Sequence, residues 1–130
     1  MTLRVTREAL DRMRAAARTG AAEECCGLLL GRGGVDEARP ATNVALDRRR
    51  HFEIDPQALV DAHRAARHGG PAVLGYYHSH PAGAAAPSVA DRATAAGDGR
   101  IWAIIADDDV TFWRDDQDGF ARLPYAVEDR

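Results

Sequence analysis

Cysteine is scarce in this 130-residue chain: there are two, and they are neighbours, Cys25 and Cys26. A disulfide between adjacent residues would be strained, and no C-x-x-C spacing exists, so a disulfide framework and a dithiol metal or redox centre are both excluded. Reduced, partly buried thiols are expected. Long apolar runs are also missing. Nothing approaches the ~20 consecutive apolar residues that span a bilayer, and the opening MTLRVTREAL lacks an apolar segment of signal-peptide length. The expectation is a cytoplasmic protein with no membrane partner. Basic runs are limited to Arg48-Arg49-Arg50, within 17 basic and 20 acidic residues and a formal net charge of -3. Phosphate binding needs a concentrated cationic surface, so nucleic acid is not expected as a partner. The acidic groups Asp107-Asp108-Asp109 and Asp115-Asp116 read as solvated turns. Internal repeats and low-complexity linkers are absent, and the length suits one core, so a single domain over residues 1–130 is expected.

Periodic patterns are present throughout. VTREALDRMRAAARTG places Val5, Leu10 and Met13 at helical spacing, with Thr6 as N-cap and Gly20 as stop. CCGLLLG is a short glycine-bounded apolar run, which favours a buried strand. From Val35 to Ile54, VALD and HFEI alternate briefly, Pro40 interrupts, and a loop carries the three arginines. Asp55-Pro56 is an N-cap followed by proline at the first helical position, and the helix then runs to Gly69-Gly70. AVLGYYHSH reads as a strand, Ser88 opens a helix through Ala96, RIWAIIAD and VTFWRD form a hairpin, and FARLPYAV supplies a last edge strand. The predicted fold is α/β, a mixed β-sheet flanked by about three helices.

His78 and His80 stand two apart on a predicted strand, whose period of two projects both imidazoles to one side. Asp91 follows eleven residues after His80, one helical turn beyond Ser88. Two ring nitrogens and a carboxylate oxygen leave the fourth tetrahedral position of Zn²⁺ open for water, which is the composition of a catalytic zinc site. Singly, each residue has a plainer role: a packed histidine, or Asp91 closing a capping box with Ser88. His63 and His68, five apart on a helix, point to different faces and do not make a joint site. The zinc deaminases need H-x-E and P-C-x-x-C, and neither occurs.

His78-Ser79-His80-Pro81 followed by Pro87-Ser88-Val89-Ala90-Asp91 resembles the signature of the JAB/MPN domains that carry the JAMM motif. The segment Glu24-Cys25-Cys26-Gly27-Leu28-Leu29-Leu30-Gly31 is similar to that family's upstream E-x-C-G-x-L-x-G element, and only Glu24, not Glu23, lies three residues before the glycine. The resemblance implies an MPN/JAB-like fold related to the cytidine-deaminase architecture. It implies a metallopeptidase or isopeptidase with one Zn²⁺ per chain on His78, His80 and Asp91, Glu24 as general base, and Ser88 stabilising the oxyanion. Cys26 is read as core and Ser79 as structural. The size resembles the small stand-alone prokaryotic members, which implies a ubiquitin-like or sulfur-carrier protein with a Gly-Gly-type C-terminal tail as substrate. Two alternatives stand beside it, a non-catalytic MPN scaffold that binds a protein partner and a RadC-like protein. The oligomeric state is open.

Overall fold

A computed structural model describes residues 2–20 and 22–129. The elements run β1 (Leu3–Thr6), α1 (Arg7–Thr19), β2 (Cys26–Gly31), β3 (Glu37–Ala41), α2 (Pro56–Arg67), β4 (Ala72–Ser79), α3 (Val89–Thr94), β5 (Ile101–Ala106), β6 (Asp109–Asp116), β7 (Gly119–Leu123) and β8 (Tyr125–Glu128). Six strands form one sheet in the order β3-β2-β4-β5-β6-β7, while β1 and β8 pair in parallel as a separate ribbon. Only β4 and β5 are parallel within the large sheet. The crossover between them contains the segment from His80 to Asp91, so both halves of the histidine-aspartate motif gather at the C-terminal ends of these central strands. The mixed sheet and three helices agree with the α/β expectation.

The sheet separates two apolar clusters. On one face, Leu10 and Met13 of α1 pack with Val5, Leu29, Tyr77, Ala103, Ile105 and Phe112. On the other, Ala62 of α2 packs with Cys26, Leu28, Leu30, Ile54 and Val73. Strand alternation accounts for most of this division. In β4 it is reset once: Leu29 faces Gly75 but Leu30 faces Val73, so Leu74 is an extra, bulged residue. The bulge lets Val73 and Tyr76 both pack beneath α2, and β4 then presents His78 on that same side, against Phe52. Gly75 permits the close approach of β4 and β5, because a Cβ there would sit 1.7 Å from the Ile101 carbonyl oxygen.

Local chemistry explains the helix ends. Thr6 Oγ1 accepts from Ala9 N at 3.1 Å, and Asp55 Oδ1 accepts from Gln57 N at 3.1 Å ahead of Pro56, each cap contributing ~1 kcal/mol. Several expectations change. Val5 is buried from β1 rather than from a helical face. Pro40 lies inside β3, which tolerates it because β3 is the sheet edge and its outer side needs no donor. VALD and HFEI form no full strands, only the bridge between Asn43 and Ile54. The third helix stops at Thr94, and the tail makes two strands, of which β8 leaves the sheet to pair with β1. Asp107, Asp108 and Asp109 are exposed as expected. Asp115 instead is buried, its Oδ2 accepting from Ala96 N and Gly97 N at 3.1 Å each.

Candidate active site

The ladder between β4 and β5 continues one residue past Ser79, because His80 N donates to Ile105 O at 2.8 Å. His80 therefore keeps strand phase with His78, and the two Nε2 atoms converge to 3.2 Å. Asp91 Oδ2 lies 3.0 Å from each of those nitrogens. His78 is wholly buried, and His80 and Asp91 nearly so. Asp91 is aimed by its own helix end: Ser88 N donates to Asp91 Oδ2, and Asp91 N donates to Ser88 Oγ, both at 3.0 Å. The capping box and the convergence on the histidines thus coexist, the helix start being the device that points the carboxylate inward.

The donor set fits a small divalent cation. Tetrahedral zinc with bonds of 2.0–2.1 Å to nitrogen or oxygen holds its ligand atoms about 3.3 Å apart, close to the spacing here. His80 Nδ1 faces the Ala84 carbonyl at 2.8 Å and so carries a proton, which in the neutral ring leaves the lone pair on Nε2. Two inward nitrogens beside a carboxylate are best satisfied by a shared cation. Among the described residues these three form a group of potential metal-binding side chains whose ligand atoms all lie within 4.8 Å of one another.

Burial shapes the ionisation of each group. It pushes His78 below the usual imidazole range, against the pull of Asp91. Burial also disfavours charge on His80, but hydrogen bonds to Asp91 and Ala84 prevail and raise it. Burial disfavours the charged Asp91 as well, yet hydrogen bonds with both histidines hold its carboxyl well below the carboxylate range.

Glu24 lies two residues before β2 and is 6% exposed. Its backbone is fixed on both sides, since Glu24 N donates to Arg48 O at 2.7 Å and Asn43 Nδ2 donates to Glu24 O at 2.9 Å. Its Oε1 is buried without a hydrogen-bond partner. Burial, helped by the Asp91 charge and opposed by His80, raises its carboxyl to about 7, so it shares an electrostatic environment with the cluster. Glu23 instead points to solvent and pairs with Arg48 at 2.9 Å. Of the two neighbouring glutamates, only the one with the motif spacing is buried.

Two aromatic residues complete the site without having been singled out from the sequence. Phe52 stacks on the His78 ring at a centroid distance of 4.2 Å and 17° between planes, and Trp102 meets the same ring edge-on at 5.7 Å. Phe52 comes from the loop before α2, where nothing in HFEI signals that loop closure will carry the ring onto β4. Cys26 sits opposite His78 in the ladder, its thiol 3.6 Å from Ala41 O. Burial pushes that thiol up to about 12. Iodoacetamide at pH 8 should leave Cys26 unmodified in the folded protein and alkylate it in urea, as read by peptide mass spectrometry. Ser79 turns to the opposite face, where its Oγ accepts from Cys25 N at 2.9 Å. His68 caps its own helix through Arg64 O, away from the cluster.

Residues 6–116 match the family described as prokaryotic homologs of the JAB domain. The chain belongs to that family. A desampylase from Haloferax volcanii is 35% identical over 134 aligned residues, covering 97% of this chain and 96% of that protein. A Thermus thermophilus protein named as a probable TtuB-protein conjugate cleaving protease is 37% identical over 91 residues, covering 70% of this chain and 62% of that protein. The solution structure of a Desulfitobacterium hafniense protein has a TM-score of 0.87 at 28% identity, covering 99% of this chain and 94% of that one. The JAB/MPN resemblance and the α/β fold are thereby established, and no helix among the described residues is long and apolar enough to cross a membrane.

Proposed function

We propose that this protein is a zinc-dependent isopeptidase or peptidase that cleaves at the C-terminus of a ubiquitin-like or sulfur-carrier protein. The observation that carries this reading is the convergence of His78, His80 and Asp91 beside a buried glutamate with an unpartnered oxygen. His78 Nε2, His80 Nε2 and Asp91 would hold the metal. Zinc bound there would supply a lowered pKa for its water and Lewis acidity toward the scissile carbonyl.

Glu24 is the general base. Its carboxylate removes a proton from the attacking water and returns that proton to the leaving amine. A carboxyl near neutrality in the unmetallated protein suits both halves of the transfer, and a nearby cation would shift it toward the ionised form. Ser88 stabilises the oxyanion. Its Oγ already accepts from Asp91 N, and among the described residues its hydroxyl proton has no acceptor, so capping and donation use different parts of one group.

The substrate class is supported by the named activities of the two relatives. An extended Gly-Gly tail would lie along exposed backbone near the cluster, adding main-chain hydrogen bonds. Residues 1–130 would act as one domain. A cytoplasmic setting accords with both cysteines being free.

Purified protein should contain about one equivalent of zinc. It should release the extension from a carrier protein fused beyond its terminal Gly-Gly, with the new C-terminus read by intact-mass spectrometry, and a chelator should stop the cleavage. Cleavage that persists after the metal is stripped would sink the metallopeptidase reading.

A further inference from the structure

The segment 81–87, Pro-Ala-Gly-Ala-Ala-Ala-Pro, connects the two arms of the cluster and has almost nothing to hold it. It has no large apolar side chain, and Pro81 to Ala84 are exposed. Among the described residues it makes no backbone–backbone hydrogen bond. Two side chains tether it instead. One is His80, whose Nδ1 donates to Ala84 O at 2.8 Å. The other is Thr111, whose Oγ1 donates to Ala85 O at 2.6 Å.

Thr111 is 2% exposed on β6. It belongs to the cross-strand row His78, Ile104, Thr111, two strands away from the histidine, so the segment crosses above β5 to reach it. Trp113 Nε1 donates to Thr111 Oγ1 at 2.9 Å. With that bond accepted, the single hydroxyl proton is directed to Ala85. A valine in the same space would leave the Ala85 carbonyl without its partner and the loop with one tether, supplied by the ligand it is meant to orient.

We infer that Thr111 is a positioning residue for His80: by pinning Ala85 it fixes the adjoining Ala84 carbonyl, which sets the tautomer and orientation of the ring. The same tether sets the path by which the chain delivers Ser88 and Asp91. The inference rests on the proposed role of His78, His80 and Asp91 as metal ligands. Partners that orient ligating histidines commonly govern metal affinity by 10–100-fold, and a partner acting through one intervening carbonyl belongs at the lower end.

Metal-free wild type, Thr111→Val, Thr111→Ser and Val5→Ala are titrated with Zn²⁺ against a chromophoric chelator, with thermal melts of each. Val5 lies in the ribbon under α1, so Val5→Ala lowers stability without touching the loop. Thr111→Val should bind zinc about tenfold more weakly, Thr111→Ser should recover the affinity, and Val5→Ala should bind as wild type does. If Thr111→Val does not fold, Thr111→Ala, which also removes the hydroxyl that donates to Ala85 O, should weaken zinc in the same direction. Wild-type affinity in Thr111→Val, or in Thr111→Ala should that variant stand in, overturns the inference while leaving the metal reading intact. An equal loss in Val5→Ala also overturns it, by assigning the effect to stability. A wild-type protein that binds no zinc overturns the proposed function, and the inference falls with it.

Discussion

Glu24→Gln should keep its metal and turn over substrate about 10²–10⁴-fold more slowly. The amide has the shape of the carboxylate and fits the same buried space at the head of β2, where the backbone is fixed by Arg48 and Asn43. It cannot take a proton from water at that position. Zinc content by atomic spectroscopy and turnover of a carrier fusion, measured on the same sample, separate the two properties; full turnover would remove Glu24 from the mechanism. The substitution also has a signature independent of catalysis. In the metal-free protein the carboxyl lies at about 7, raised from 4.5 mainly by burial. A carboxyl raised in this way contributes stability that is fully present below its ordinary value and is lost as pH rises through about 7. Metal-free Glu24→Gln should therefore melt above metal-free wild type at pH 8, and the gap should close toward pH 4 to 5. A constant difference across that range would show that Glu24 does not sit in the environment described.

Asp91→Asn should lose stoichiometric zinc while retaining the bond to Ser88 N at the start of α3, and Asp91→Ala should lose both. The aspartate has two tasks. One carboxylate oxygen accepts from Ser88 N and faces both imidazoles, while the backbone N–H of the same residue donates to Ser88 Oγ. An asparagine oxygen can still accept at the helix start but lacks the negative charge that a carboxylate brings to a divalent cation. Alanine removes the acceptor as well, at a further cost of ~1 kcal/mol for the lost hydrogen bond of the capping box. Zinc titration should show no tight site in either variant, and melts of the metal-free forms should place Asp91→Ala below Asp91→Asn. Tight binding in Asp91→Asn would mean that the histidines and some other group hold the ion. Loss of metal should also remove its contribution to stability, which at a thousandfold excess over Kd is about 4 kcal/mol, so metallated wild type should melt well above both variants.

Much of this centre was legible in the chain because its parts obey short-range rules. The interval from His78 to His80 is one strand period, and the interval from Ser88 to Asp91 is a capping box, so each pair is arranged by local backbone geometry alone. Glu24 is separable from Glu23 by one residue of spacing to Gly27, whereas its burial depends on the contacts with Arg48 and Asn43 that fix its backbone. Thr6, Asp55 and Pro56 marked helix starts for equally local reasons.

What failed to show in the sequence depends on contacts between distant segments. Val5 repeats at a helical interval with Leu10, yet parallel pairing with Val127, at the other end of the chain, makes it a strand residue. Asp115 has the composition of a turn, but the loop after α3 turns two amide donors onto it. Phe52 and Thr111 carry no motif, and their roles exist only once Phe52 is folded against β4 and the His80–Ser88 crossover has passed over β5.

The chain by itself determined the family and the intervals that pair His78 with His80 and Ser88 with Asp91, since these are written as residue types at fixed local spacings. Tertiary structure alone decided that two imidazoles and a carboxylate meet within hydrogen-bond distance, that Glu24 is buried, and which side chains tether the segment between His80 and Ser88. The physical reason is that a buried, converging donor set is produced by sheet order and loop closure, which bring together residues that no local periodicity relates.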